Sequence, residues 1–588
     1  MSDSSPISAS APPDVCTFAL MVDGASLSGQ FHVLSIAVDK ELNRIASASI
    51  ELRDGDPALA TFEASNAEHF IPGKEIDIQL GYGGTNQSVF KGIVVKHSIR
   101  VRKDHSVLLV ECRDKAVRMT AEARSRHFLD QKDSDIITDI IGGHGLAHDV
   151  AASAAKLEEV VQFGATDWDF VLCRAEANGL VVLADAGKVS VLRPDLGQQP
   201  VVTVKYGSTL LELDAEIDAR WQSKGVKATS WNAADQALVE AEGSEPSGSG
   251  SGNLAPADLA AVVGGDAQVL RHGGALAQPE LQAWADARLL KGRLAKLRGR
   301  ARCQGFAAAK PGAIVELKGI GQRFEGKLYV SGVRHTVANG NWETDLQFGL
   351  NPQLFAERFN LRPMPAGGLL PAVSGLQVGV VSALGGDPAG EDRIAVRLPL
   401  LGDAGDGLWA RIATLDAGKD RGTFFRPEIG DEVVVGFLDS DPRHPVVLGM
   451  CHSSAKPAPE PPSDDNHHKG YASREKLRML FDDEKKVILF ETPGGNKLTL
   501  SEGAKGILLE DQNGNKITLD DKGISIESSK DLVLKASGDI KLEGVNIDVK
   551  AQAGLKAKGG ASVELSGAST AIKGSATVEI KGGMVLIN

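Results

Sequence analysis

Cys451-His452 and His467-His468 are the residues whose types could gather a metal ion, since thiolate and imidazole are its common protein ligands. A metal centre needs those ligands to converge. Adjacent residues of an extended segment point to opposite faces, and the stretch between holds the proline-rich run Lys456-Pro457-Ala458-Pro459-Glu460-Pro461-Pro462. These histidines therefore read as solvent-exposed linker residues, and no metal or cofactor is expected. The acids Asp482-Asp483-Glu484 and Asp520-Asp521 could serve as general acid and base. Both groups fall at expected turns, where carboxylates satisfy backbone amides. Trp168 and Trp231 offer faces on which sugars stack, yet their apolar helix and strand settings predict core packing. HExxH, GxGKS/T and GxSxG patterns are absent, and no stretch is left over for a separate catalytic domain, so no enzyme is expected.

The elements that would position such residues belong to several domains, because 588 residues exceed what a single hydrophobic core supports. A formal net charge of −13 disfavours nucleic acid, which needs a concentrated basic face. The start, MSDSSPISASAPPD, lacks a basic segment followed by an apolar one, and no later stretch is apolar enough to span a membrane. Synthesis in the cytoplasm without a signal peptide is expected. Five scattered cysteines without CxxC spacing read as reduced, mostly buried thiols.

From Cys16 to about Lys115, short alternating runs such as Glu75-Ile76-Asp77-Ile78-Gln79-Leu80 predict a β-barrel or sandwich. Asp133-Ser134-Asp135 precedes Ile136, Ile137, Ile140 and Ile141, a capped helix with an isoleucine stripe. A second helix is predicted from Thr166 to Asn178, ended by Gly179. GSEPSGSGSGNLAP at 243–256 has the composition of a flexible coil. LRPMPAGGLLP at 361–371 marks a boundary, and a compact β block follows from Gly375 to about Cys451.

The last hundred residues carry a repeat. Ile526, Leu534, Leu542, Val549, Ala557, Leu565, Ile572 and Ile580 follow one another at steps of 8, 8, 7, 8, 8, 7 and 8. Most have an apolar partner two residues earlier, so each repeat is a short strand and a turn. Such a strand closes no core alone and must stack on copies of itself. A single-chain solenoid spends about 18 to 24 residues per coil, whereas one strand per octad suits three chains wound into a prism. Ile526, Leu534, Leu542, Val549, Leu565 and Ile580 are its expected core. Lys, Glu, Asp and Ser at outward positions make a charged coat on a stiff rod. Met584, Val585, Leu586, Ile587 and Asn588 would present apolar groups on a blunt end, an interaction surface for a cap.

Several segments resemble one family. QFGATDWDFVLCRAEANGL (162–180) and AEIDARW (215–221) are similar to its hub, and DPAGEDRIAVRLP (387–399), LWARIAT (408–414) and FFRPEIGDEVVVGFLDSDPRHPVVLG (424–449) to its OB-fold barrel. Asp511-Gln512-Asn513-Gly514-Asn515-Lys516-Ile517 resembles the turn opening its needle, and Ile580-Lys581-Gly582 with Ile587-Asn588 resembles the needle's end. The family is that of VgrG-like spike proteins of contractile injection machines. The N-terminal segments Glu41-Leu42-Asn43-Arg44-Ile45, Phe70-Ile71-Pro72-Gly73-Lys74 and Phe90-Lys91-Gly92-Ile93 look most like the branch of extracellular contractile particles, with the type VI secretion system as the other host.

The resemblance implies a mainly β chain with an α+β hub. Its expected parts are a disordered tail at 1–14, a tail-hub-like domain at 15–365 with the flexible loop 243–256, an OB-fold barrel at 372–453, a linker at 454–470 and a β-helical needle at 471–588. It implies a homotrimer joining an inner tube protein and baseplate proteins to a membrane-puncturing needle. A PAAR-like protein would cap residues 584–588, effector cargo would ride on the tip, and the target membrane would be contacted mechanically. The assembled particle would deliver the spike outwards on contraction. A trimeric adhesin or receptor-binding fibre with a β-prism stem is the alternative, which predicts a distinct lobe beyond the stem.

Overall fold

The computed structural model describes residues 7, 15–27, 29, 31–248, 251–264, 266–402 and 405–587. The tail expected at 1–14 therefore lies outside the described residues except at Ile7, which is buried with Val202 and Val204. The chain divides into two units, Met1–Gly430 with Val434–Leu448, and Asp431–Val433 with Gly449–Asn588. As the alternating runs require, both are mainly β.

The first unit is organised on a 13-stranded sheet. One half is built from Cys16–Val22, Val33–Glu41, Ser47–Arg53, Glu75–Tyr82, Thr85–Val101 and Ser106–Arg113, over a core that includes Ile36, Ile50, Phe70, Ile78 and Leu108. The other half uses Leu210–Ile217, Leu297–Gln304, Gly326–Ala338 and Asn341–Phe348, over Val204, Cys303, Val330 and Phe348. Antiparallel pairing from Gly332↔Glu41 to Ala338↔Ser35 joins the halves. Burial pushes the thiols of Cys112 and Cys303 up to about 12, so they remain protonated and pack as small apolar groups.

A helical lobe holds Asp133–Gly143 and Asp167–Ala177, with Ile136, Ile137, Ile140 and Ile141 fully buried. The second helix starts as expected: Thr166 Oγ1 accepts from Asp169 N at 3.1 Å, and Gly179 takes φ +67° just beyond its end. The first differs. Its N-cap is Lys132, which makes no side-chain cap, because Asp133 accepts instead from Arg174 Nε and Nη2 at 2.6 and 2.8 Å and from Asn178 Nδ2 at 2.8 Å. That carboxylate fastens the two helices together.

Trp168 is 5% exposed, as expected, but Trp231 is 42% exposed on the strand Val226–Asn232 and lies outside any closed core. The serine–glycine segment is also held more firmly than its composition predicts. Arg293 grips Glu245 at 2.6 and 2.9 Å, and Lys296 Nζ donates to the carbonyls of Ser251 and Leu254 at 2.7 and 3.2 Å; only 249–250 of this segment lie outside the described residues. Buried side chains of the hub need acceptors, and the loop's backbone supplies them. Gln377–Ala383, Ile394–Arg397, Leu408–Ile412, Glu432–Phe437 and Pro445–Met450 form a closed barrel.

The second unit contains seven antiparallel strands in sequence order, from His468–Ala472 to Gly523–Glu527. From 528 to 587 no strand is assigned among the described residues. Bends recur instead at 529–530, 537–538, 545, 552–553, 560–561, 567–568, 575–576 and 583–584. The repeat is thus present as backbone geometry, with each apolar marker two or three residues ahead of a bend. Strands are absent because their hydrogen-bond partners are not supplied by the same chain.

Candidate functional site

The second unit's sheet is sided by its register. Tyr471↔Met479, Met479↔Phe490, Phe490↔Leu498, Leu498↔Leu509, Leu509↔Ile517 and Ile517↔Ile526 are successive cross-strand partners, forming one unbroken apolar row. Two residues along each strand, and so on the same face, run Phe481, Ile488, Leu500, Ile507, Leu519 and Ile524. The opposite face carries Arg478, Glu491, Lys497, Glu510, Lys516 and Glu527 in a row whose charge alternates at every strand. Lys516 lies 3.1 Å from Glu510 and Lys497 3.6 Å from Glu491. Opposite charges directly across strands stabilise a sheet and penalise a slipped register.

The turns secure the same register. At Asp511-Gln512-Asn513-Gly514-Asn515 the carboxylate accepts from the amides of Asn515 and Asn513 at 2.9 and 2.8 Å, and Gly514 adopts φ +85°. Those bonds hold the Asp511 carboxyl down at about 2. Asp482 and Asp520 likewise accept from the amides of Lys485 and Lys522 at 2.9 and 2.8 Å, which is the turn role their spacing predicts.

The apolar face has no cover within the chain. Ile517, Leu509 and Phe490 are 37%, 43% and 44% exposed, Ile526 and Ile524 are 52% and 72%, and an open groove of about 880 Å³ runs between Tyr471, Met479, Leu498, Ile517 and Leu532. Further along, Leu534, Leu542, Val549, Leu565 and Ile580 are 64%, 66%, 64%, 73% and 65% exposed, so the structure does not bring these expected core residues together within one chain. Met584, Val585, Leu586 and Ile587 are also exposed, and Asn588 lies outside the described residues. Fully burying such a side chain is worth about 1.5–3 kcal/mol, and each of these forgoes the share its exposure leaves. Apolar surface this extensive and continuous marks an assembly face.

The row from Tyr471 to Ile517 escaped the octad count because its steps alternate between 8 and 11 residues, set by turns of two lengths. Alternation within Lys497–Ser501 and Lys516–Asp520 was the available signal. The alternating charge row was also missed, since opposite signs at sequence distance become a row only once the register is known. The two histidines separate: His468 opens a strand and bridges two carboxylates, 2.8 Å from Glu460 through Nδ1 and 3.3 Å from Asp482 through Nε2. Its expected reading as a plain linker residue is corrected, because the strand pairing His468↔Asp482 carries it to an acid. Among the described residues, no three His, Cys, Asp or Glu side chains are grouped so as to hold a metal.

In the first unit a cleft of about 1170 Å³ is lined by both signs of charge, which neutralise one another in pairs such as Arg44 with Glu41 at 3.2 Å and Arg334 with Asp39 at 3.5 Å. Deeper in the hub, Lys40 is paired with Asp185 at 2.6 Å. These are paired networks holding strands together.

Three family models match the chain: Alg8 N-terminal domain over residues 12–339, type VI secretion system/phage-baseplate injector OB domain over 377–452, and phage baseplate V C-terminal trimerisation domain over 486–553. The type VI secretion system spike protein VgrG1b of Pseudomonas aeruginosa is 25% identical over 379 residues, covering 58% of this chain and 48% of that protein. VgrG5 of the same organism is 35% identical over 96 residues, 15% of this chain and 12% of that protein. The chain thus spans about half the length of the first relative and less of the other. Among solved structures, the 43 kDa tail protein of prophage MuSo2 from Shewanella oneidensis aligns at TM-score 0.43 and 13% identity, over 57% of this chain and 98% of that one. The E. coli c3393 protein, a type VI secretion component, aligns at TM-score 0.38 and 13% identity over 74% and 99%.

Proposed function

Because this chain belongs to the Alg8 N-terminal domain family and is a VgrG-like spike, we propose that three copies assemble through the apolar face of the stem into a rigid needle carried by the hub. The observation carrying this reading is the apolar row from Tyr471 to Ile526, left open in one chain and continued by an octad whose backbone has no partners of its own. Three copies would cover each other's rows and pair the extended segments, leaving no free lateral edge. A dry core inside a charged coat resists bending, so thrust on its base would reach its tip.

On this reading the hub docks on the inner tube and baseplate of a contractile machine, the barrel forms a collar, and the needle punctures the target membrane mechanically. Met584–Ile587 would seat a PAAR-like tip protein, with effector cargo borne there or on the stem. The chain acts as a structural part rather than as an enzyme, and it leaves the cell with the particle that carries it.

Light scattering of the purified full chain tests the assembly. A mass three times that of the 61.8 kDa chain is expected; a monomer would overturn the trimeric needle and favour a single-chain solenoid.

A further inference from the structure

Glu460 belongs to the proline-rich segment that precedes the stem's strands, while Arg478 and Asp482 lie on the strand Arg478–Asp482 and His468 on its neighbour His468–Ala472. The four side chains meet at one end of the sheet. His468 Nδ1 is 2.8 Å from Glu460 Oε2, its Nε2 is 3.3 Å from Asp482 Oδ2, and Arg478 Nη2 is paired with the second Glu460 oxygen. Both ring nitrogens face carboxylates, and only the imidazolium donates from both at once. We propose that Glu460, His468, Asp482 and Arg478 form a proton-dependent latch that fastens the proline-rich segment onto the first hairpin of the stem.

Neighbouring charges pair with the same carboxylates or with others. Lys485 lies 3.7 Å from Asp482, and its amide donates to the same carboxylate. Lys469, next along the strand, is turned to Asp483, whose own amide donates to the His467 carbonyl at 2.9 Å. Acceptance from the Lys485 amide, above all, holds the Asp482 carboxyl below its usual range, so that partner stays charged through mild acid. Hydrogen bonding to Glu460, and then to Asp482, raises His468 above the ordinary histidine value. The sign follows: the bridge is complete below the ordinary histidine range and is lost as pH rises through the raised value. Arg478 alone then retains Glu460.

The latch extends the alternating charge row by one member. Glu460 stands before Arg478 as Glu491 stands after it, so a segment with no strand of its own is drawn into the stem's electrostatic order. While the latch is closed, the residues up to Glu460 move with the stem as one piece. When it opens, the prolines at 457, 459, 461 and 462 act as an independent semi-rigid spacer. A single chain suffices for this, so the inference stands apart from the number of copies in the needle.

Hydrogen exchange of the peptide spanning 453–467, measured on the full-length assembled protein at about pH 6 and about pH 8.5, tests it. Rates are referred to the unstructured rate at each pH. Several-fold greater protection at the lower pH is expected in the wild-type protein, with the difference abolished in His468→Gln and in Glu460→Gln and retained in His467→Gln. Equal protection at both pH values in the wild type would overturn the latch, as would a His468→Gln protein that keeps the difference. The Glu460→Gln variant carries the test should His468→Gln fail to fold.

Discussion

His335 is 2% exposed, shares a hydrogen bond of 2.9 Å with Thr344 Oγ1, and has the Trp342 ring 5.8 Å away. Burial, with Lys40 adding repulsion, pushes it down to about 3. The folded hub therefore keeps this ring neutral while the unfolded chain takes up a proton near pH 6.5. Its contribution is complete above that value and declines by about 1.4 kcal/mol per pH unit as pH falls towards about 3. Denaturant unfolding followed by tryptophan fluorescence should show a shallower acid decline in His335→Gln than in the wild type; identical slopes would contradict the assignment. At the same scale, Asp133 is 2% exposed, and removing Arg174 leaves its carboxylate with Asn178 Nδ2 as its side-chain donor. Arg174→Ala should cost the hub about 3–5 kcal/mol, read as a lower denaturant midpoint, because it strands a buried charge.

At the scale of the element, the stem's sheet joins a consistent polarity of faces to a register set by turns and charges. Replacing Leu509 by Asp puts a carboxylate in the middle of the apolar row, once per copy, and should abolish assembly outright on size-exclusion chromatography with light scattering. Leu509→Ala, which only removes contacts, should leave the assembly intact but weaken it by about 2–5 kcal/mol per copy in thermal or denaturant unfolding. On the other face, Glu510→Lys places a third positive charge between Lys497 and Lys516 in the cross-strand row. A modest loss of stability that shrinks in high salt is expected, since these pairs are exposed.

At the scale of the whole molecule, one chain is two bodies with different requirements. The hub buries several apolar cores within one chain. The stem forms its sheet within one chain but presents its apolar row and some sixty residues without assigned strands to solvent, surface that the proposed assembly would cover. A chain ending before Gly494 should therefore keep a folded hub, judged by unchanged tryptophan fluorescence, since all six tryptophans precede that point, yet run as a monomer or a weak oligomer. Retention of a tight trimer would move the main interface from the stem to the hub. The match to the first relative covers 48% of that protein, so the proposed machine-level role rests on this assembly property.

The alternation at 75–80, the isoleucine stripe at 136–141, the second helix from about Thr166, the Gly179 stop and the octad after Ile526 are all local, because period and turn chemistry act over a few residues. These elements, the mainly β class and the family were legible in the residues alone. Only the packed chain shows that Asp133 binds Arg174 instead of capping its helix, that Trp231 is exposed, that loop 243–256 is tied to Arg293 and Lys296, and that His468 stands between two carboxylates. Each of those depends on which strands, helices and loops are neighbours, and Asp133 with Arg174, Glu245 with Arg293 or His468 with Asp482 become partners only when packing and strand register join them.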